Sequence, residues 1–476
     1  MRATGILAAM LVATAVSAPA KAQTATDRTR FEPGPCAVEV ATDERIDCGL
    51  LFVPENRSRA DSRMIRLPVM IFRSRAEAPA NDPVIFLTGG PGNSALAGQR
   101  SGRGNPFLEE RDQVLLEPRG GKLTEAALEC PAINALKGEI ASGAIGRAQA
   151  DARLTAAAVD CRAALVARGA DLNGYTSAEA ADDIEALRVA LGYDKVNLYA
   201  LSYGTRLALT AARRHPGSVR SLVLDSVLPP EVGYDETASA NTWRALNSVF
   251  DGCSADPACA AAWPRVGEDF RTLATGPDGP KVVAAITNAL QDPRRIALIP
   301  RAVGAAAAGR REELSGWIAS DAGASTFTWG LRLSVWCAEE APFETAERIE
   351  DQTAAHWGLA GADPRTASVA MCRAWDVAAA DPVENTGVAS DVPTLIFGGE
   401  YDPTTPPDWG RRLLTRMPNA TFVLMPGLSH GASFNRCAGM MAVAFVHDPV
   451  ATPDTVCASR MRGADFSLSA ALRPTE

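Results

Sequence analysis

Six short apolar runs punctuate the chain, at 83–88, 113–117, 195–201, Val219–Asp225, 392–398 and Ala420–Met425. A strand that is apolar throughout, rather than alternating, is one covered on both faces, as in a parallel sheet. Segments of helical period lie between some of these runs. Ser177–Leu191 repeats apolar residues at Ala180, Ile184, Leu187 and Leu191, which fall on one face of a helix. Tyr203–Arg214 reads as a second helix, stopped by Pro216. Strand–helix–strand alternation predicts an α/β protein built on a mostly parallel sheet with helices on both faces.

The alternation breaks between Pro229 and Asp391. That stretch is alanine-rich, helical in pattern and without a clear strand run, and sheet-type strands resume after it. It predicts a helical cap inserted into the sheet domain. The expected organisation is a leader at 1–22, the first part of the core at 23–229, the cap at 230–390 and the second part of the core at 391–476. No internal repeat is present, and low complexity is confined to alanine runs such as 305–308.

Composition narrows the class. With 47% hydrophobic and 22% charged residues, the chain is neither disordered nor fibrous. Its net charge of −9 makes nucleic acid an unexpected partner. Arg2, an apolar stretch from Ile6 to Val16 and the small-residue site Ala20-Lys21-Ala22 form an export signal, so the mature chain is expected to begin at Gln23. No other apolar run is long enough to span a membrane. The ten cysteines fall in neighbouring pairs: Cys36 and Cys48, Cys130 and Cys161, Cys253 and Cys259, Cys337 and Cys372, Cys437 and Cys457. An even count in an oxidising compartment points to five disulfides, although a count does not fix connectivity. No C-x-x-C pair or H-E-x-x-H occurs, so no metal or cofactor is expected.

The strongest chemical signal is Asn197-Leu-Tyr-Ala-Leu-Ser-Tyr-Gly-Thr205. An apolar strand ends, Ser202 follows, and a helix begins at once. Such a turn lifts a serine hydroxyl above the sheet and requires small residues two before and two after it, here Ala200 and Gly204. A serine nucleophile needs a base, and the chain has four histidines. His215 precedes the helix-stopping Pro216, His356 lies in the cap and His447 ends a C-terminal segment. His430 alone lies in a loop directly after the last sheet strand, at the edge where sites on such sheets form. Asp402, in the loop after the preceding strand, is the expected acid, with Glu400 and Asp225 as competitors. The glycine-rich 86–92 segment offers an oxyanion donor at Gly90, and the Tyr203 amide offers another. The same loop fits G-x-G-x-x-A, with Glu117 ending the next strand, a pattern shared with dinucleotide sites. Pro91 sits where amides should face phosphates, and the following segment is broken by Gly and Pro, so an oxidoreductase is not favoured.

Together these segments resemble the α/β-hydrolase-fold aminopeptidases of the proline iminopeptidase group, most closely the secreted tripeptidyl-aminopeptidase-like branch. The family's H-G-G-P-G is similar to Thr88-Gly-Gly-Pro-Gly92, and its D-Q-R-G to Glu117-Pro-Arg-Gly120. Leu198-Tyr-Ala-Leu-Ser-Tyr-Gly-Thr-Arg206 matches the nucleophile segment, Asp402-Pro-Thr-Thr-Pro406 the acid loop and His430-Gly431 the base. Thr88, Ala200 and the Glu117-Pro118 pair depart from the pattern around the oxyanion loop, leaving the triad positions intact. The resemblance implies an inserted cap whose carboxylates hold the free α-ammonium of a peptide. Trp336-Cys-Ala-Glu-Glu340 is the matching segment, which makes Glu339 and Glu340 the candidates. It also supports pairing the cysteines with their neighbours, as Cys36–Cys48, Cys130–Cys161, Cys253–Cys259, Cys337–Cys372 and Cys437–Cys457.

The expected activity is that of an exported serine hydrolase, periplasmic or extracellular, releasing short N-terminal peptides or residues through an acyl-enzyme on Ser202. The alternatives are a carboxylesterase acting on small esters with the same triad, and a catalytically silent binding protein on this fold.

Overall fold

The computed structural model describes residues 29–141, 145, 147–321, 327–356 and 367–470. The leader expected at 1–22 lies outside the described residues. Nine strands form one sheet: β1 (Arg30–Pro33), β2 (Ile46–Pro54), β3 (Met64–Phe72), β4 (Ala80–Leu87), β5 (Arg111–Leu116), β6 (Val196–Leu201), β7 (Val219–Asp225), β8 (Thr394–Gly399) and β9 (Ala420–Met425). Their order is β1-β2-β3-β5-β4-β6-β7-β8-β9. From β5 to β9 every pairing is parallel, while β1, β2 and β3 are added antiparallel at one edge.

Successive residues of the central strands serve opposite faces. Leu198, Leu222, Leu224 and Ile396 pack under the helices Ser177–Leu191 and Tyr203–Arg214. Tyr199, Val223, Leu395 and Phe397 pack against the helix Arg436–His447 on the other face. Continuous apolar runs are what a sheet covered on both sides needs. The three antiparallel strands were not among the expected runs. Gly49 and Pro68 interrupt β2 and β3, and an internal proline argues against a central strand. Pro68 is tolerated because the pairing of β3 with β5 begins only at Val69.

Between β7 and β8 the described chain is helical. Its first part, including the helix Tyr234–Ala255, encloses its own core around Leu246, Phe270 and Ile286. The helix Trp329–Glu339 belongs to a different cluster. It packs with a helical hairpin, Pro131–Ala141 and Arg147–Ala167, that lies between β5 and the helix Ser177–Leu191. The helical layer beside the sheet is therefore assembled from two separate stretches of chain. Disulfides join Cys36–Cys48, Cys130–Cys161, Cys253–Cys259, Cys337–Cys372 and Cys437–Cys457, and no free cysteine remains. No helix among the described residues is long and apolar enough to cross a membrane.

Candidate active site

Ser202 stands between β6 and the helix Tyr203–Arg214 with φ 58° and ψ −126°, a conformation that side chains rarely adopt. The turn is tight because the helix start abuts the end of β4. A Cβ on Gly204 would lie 2.3 Å from the Leu87 carbonyl oxygen and 2.9 Å from that of Thr88. The glycine-rich loop after β4 passes beside the serine. A Cβ on Gly89 would lie 3.0 Å from Ser202 Cβ and 3.5 Å from its Oγ. Tyr203 is the first residue of its helix, where a backbone N–H has no intrahelical acceptor.

His430 follows β9, and its Nδ1 lies 2.9 Å from Asp402 Oδ2. Asp402 is fully buried and well satisfied. Its Oδ1 accepts from the amides of Thr404 (2.8 Å) and Thr405 (2.9 Å), and its Oδ2 also accepts from Thr405 Oγ1 (2.7 Å). Burial alone would raise the Asp402 pKa, but the imidazolium and these donors outweigh it and hold the carboxyl below its ordinary value. For His430, burial pulls downward, while the charge and hydrogen bond of Asp402, with help from Asp225, raise the imidazole above its ordinary value.

The two competing acids have other partners. Asp225, at the end of β7, accepts from Ala432 N (3.1 Å), Ser433 N (2.8 Å), Ser433 Oγ (2.6 Å) and Ser226 Oγ (3.0 Å). Its own carbonyl accepts from Ser202 N (3.0 Å), and Gly431 N donates to Ser226 Oγ (2.9 Å). Asp225 and Ser226 thus lace the serine turn to the turn that carries His430. Glu400 accepts from Gly427 N (2.8 Å) and ties the loops after β8 and β9 together. The other histidines are placed elsewhere: His215 against Asp182, His447 against Glu110 and His356 against the Gln352 carbonyl.

The glycine-rich loop is not arranged to hold a dinucleotide. Glu117 takes up its amides, accepting from Ala95 N (3.1 Å), Leu96 N (3.3 Å) and Ser94 Oγ (2.7 Å). Among the described residues no cluster of His, Cys, Asp or Glu could hold a metal ion.

A serine on a strained strand-to-helix turn, an imidazole held by a buried carboxylate and a glycine-rich loop passing beside the serine are parts suited to acyl transfer. Residues 82–250 match the family model described as "alpha/beta hydrolase fold", and residues 360–457 match the one described as "TAP-like protein". Together the two matches contain all five expected triad and oxyanion residues. The serine protease Hip1 of Mycobacterium tuberculosis is 23% identical over 439 residues, covering 81% of this chain and 82% of that protein. The tripeptidyl aminopeptidase of Streptomyces lividans is 28% identical over 204 residues, 41% of this chain and 38% of that protein. A proline iminopeptidase structure from Mycobacterium smegmatis aligns with a TM-score of 0.39 at 15% identity, covering 81% of this chain and 96% of that one. The chain is a serine hydrolase of the α/β-hydrolase fold.

The hydrolase engages Glu339 and Glu340 in a way the sequence did not show. Both are buried against Arg206 of the helix that starts at the serine turn. Glu339 accepts from Ser177 N (2.5 Å) and Ser177 Oγ (2.6 Å) and lies 3.2 Å from Arg206 Nε. Ser177 Oγ also meets Tyr203 Oη at 2.8 Å. Both oxygens of Glu339 are therefore used within the protein, which alters the expectation that it stands free for a ligand ammonium. Glu340 pairs with Arg206 Nη1 through Oε1 and accepts from Tyr234 N (3.3 Å) through Oε2. Burial, with Asp235 and Glu339 adding to it against Arg206 and the Tyr234 amide, pushes its pKa up to about 7. Glu344 and Asp235, absent from the sequence reading, lie in the same acidic group. Glu344 accepts from Glu236 N (3.1 Å), and Asp235 accepts from Trp336 Nε1 (3.1 Å). Burial first, then Asp235 and Glu340, push Glu344 to about 8. A cavity of about 350 Å³ lies elsewhere, lined by Leu273, Val282, Arg311, Leu314 and Ile318, and touches none of these residues.

Two arginines of the helical layer were also missed. Arg244 donates to the carbonyls of Glu400 (3.0 Å) and Asp402 (2.6 Å), and Arg332 donates to those of Gly90 (2.9 Å) and Pro91 (3.3 Å). Arginines spaced this far from the motifs give no local signal in the sequence.

Proposed function

We propose that this hydrolase is an exported exo-aminopeptidase that releases short N-terminal peptides or residues through an acyl-enzyme on Ser202. The observation that carries the reading is the 2.9 Å contact between His430 Nδ1 and Asp402 Oδ2, together with a serine held at φ 58° on a strand-to-helix turn that Asp225 and Ser226 lace to the His430 turn. In this mechanism Ser202 Oγ attacks the scissile carbonyl carbon and its proton passes to His430 Nε2. Asp402 holds the imidazole tautomer and stabilises the imidazolium. The amides of Gly90 and Tyr203 receive the developing oxyanion. His430 returns the proton to the leaving amine, and water, activated by the same imidazole, then releases the acyl group from Ser202.

The peptide reading is supported by the names of the relatives, a serine protease and a tripeptidyl aminopeptidase. The exo-specificity is supported by the acidic group at the start of the helix Tyr234–Ala255. Asp235, Glu340 and Glu344 are crowded there with raised carboxyl pKa values at Glu340 and Glu344, a setting that a substrate ammonium would relieve. Glu339 would act indirectly, by holding Arg206 and thereby Glu340. Export is supported by ten cysteines paired in five disulfides, with cleavage before Gln23 delivering the chain to the periplasm or beyond.

A panel of peptide p-nitroanilides, N-terminally free and N-acetylated, tests the reading. Losing a desolvated charge pair costs about 2–5 kcal/mol, so free peptides should be cut roughly 30-fold or more faster in kcat/KM. Glu340→Gln and Glu344→Gln should narrow that gap. Equal rates on both peptide forms would overturn the exopeptidase assignment. Turnover of small esters alone would make the enzyme a carboxylesterase.

A further inference from the structure

We propose that Arg332 is a positioning residue for the oxyanion loop, through which the helical layer sets the catalytic competence of Ser202. The inference rests on the acyl-enzyme reading above and adds a residue that no catalytic motif contains.

Arg332 lies one turn into the helix Trp329–Glu339, and its Nη1 donates to the carbonyl oxygens of Gly90 (2.9 Å) and Pro91 (3.3 Å). Those carbonyls follow the Gly90 amide that would face the oxyanion. Gly90 has φ 123° and Gly92 has φ 102°, in a region open mainly to glycine, so the loop backbone has little intrinsic preference for this shape. It needs an external template. The same helix end supplies the rest of that template: Thr328 N donates to Gly92 O at 2.8 Å, and Arg332 N closes back on Thr328 O at 3.1 Å. Thr328 and Arg332 thus fix three consecutive loop residues from one side.

The guanidinium is itself fixed for this task. It stacks over the rings of Phe327 (4.7 Å), Trp336 (5.1 Å) and Trp329 (5.7 Å). Asp235 acts on it electrostatically, and its buried Nε has no hydrogen-bond partner among the described residues. An aromatic box holds an arginine by its face and leaves its edge to donate. Arg206, by contrast, sits at the same interface and spends its donors on Glu339 and Glu340. Arg332 is therefore built to hold backbone, and the backbone it holds carries the Gly90 amide.

Oxyanion stabilisation acts in the transition state, so misplacing that amide should lower kcat and spare KM. The test compares the parent with Arg332→Ala and Arg332→Lys on a p-nitrophenyl ester and on the best peptide substrate. Arg332→Ala should lose roughly 10- to 100-fold in kcat, with KM close to that of the parent. Affinity for a peptide boronic acid, whose tetrahedral adduct places an oxygen at the oxyanion position, should fall by a similar factor. Added guanidinium ion should restore part of the lost rate. Arg332→Lys keeps a cation in the aromatic box but ends about one bond short of the Nη1 that serves both carbonyls, and should retain an intermediate rate; it carries the test where the alanine variant does not fold. Unchanged kcat in the folded variants would overturn the proposal, and so would a rise in KM alone, which would make Arg332 a substrate contact. Parent activity that vanishes in Ser202→Ala establishes the acyl-enzyme reading separately from the Arg332 comparison.

Discussion

Arg206 and Glu340 form a buried ion pair that joins the helix beginning at the serine turn to the helical layer, with Glu339 as the second acid on the same guanidinium. Two carboxylates share one cation in a dry setting. The pair thus couples the helix that starts at the Ser202 turn to the end of the helix that carries Arg332.

Arg206→Leu should therefore destabilise the fold strongly. Removing one partner from a buried ion pair costs about 3–5 kcal/mol, because the survivors are left charged and unsolvated. The stranded glutamates would take up protons more readily in the folded than in the unfolded chain. The deficit should then shrink as pH falls from 8 to 5, which urea unfolding at the two pH values would show. A deficit independent of pH would mean that the carboxylates find other partners.

The acid limb of activity should report His430. Asp402 and Asp225 raise its pKa above the ordinary value of about 6.5, and only the neutral imidazole can accept the Ser202 proton. Activity should fall as pH drops through that raised pKa. Asp402→Asn should lower kcat by roughly four orders of magnitude and move the residual acid limb to lower pH, since the charge that stabilised the imidazolium is gone. A pH–rate profile of both proteins checks this, and an unmoved limb would separate Asp402 from His430.

Gly204→Ala should damage both stability and rate. The added methyl group would meet two backbone carbonyl oxygens, at 2.3 Å from Leu87 and 2.9 Å from Thr88, which cannot rotate away. Overpacking of this kind costs about 1–3 kcal/mol. Thermal melting and turnover should fall together, and a parent-like variant would show that the helix start can slide.

The disulfide Cys337–Cys372 ties the helix bearing Arg332 and Glu339, which Glu340 follows, to the helix Val369–Trp375. Replacing both cysteines by alanine should cost about 2–4 kcal/mol and depress activity before the protein unfolds. Thiol titration of the denatured, unreduced mature protein should find no free thiol; several free thiols would refute the pairing.

The local code of the central sheet was written in the sequence. The runs that became β4 to β9, the Ser202 turn and the loops bearing Asp402 and His430 are legible because strand, turn and helix preferences act over a few residues. The antiparallel edge was not, because Gly49 and Pro68 break the local strand pattern and only pairing with neighbours overrides it. The sequence favoured Asp402 over Asp225 and Glu400 by its place after a strand, but which donors reach each of the three is set by the folded loops, which bring His430 to Asp402, Ser433 to Asp225 and Gly427 to Glu400. Tertiary structure likewise assigned Glu339 and Glu340 to Arg206, and Arg332 to the Gly90 carbonyl, across separations of 133, 134 and 242 residues. Buried charges and backbone carbonyls take whichever partner the packing delivers, and no short stretch of sequence encodes that delivery.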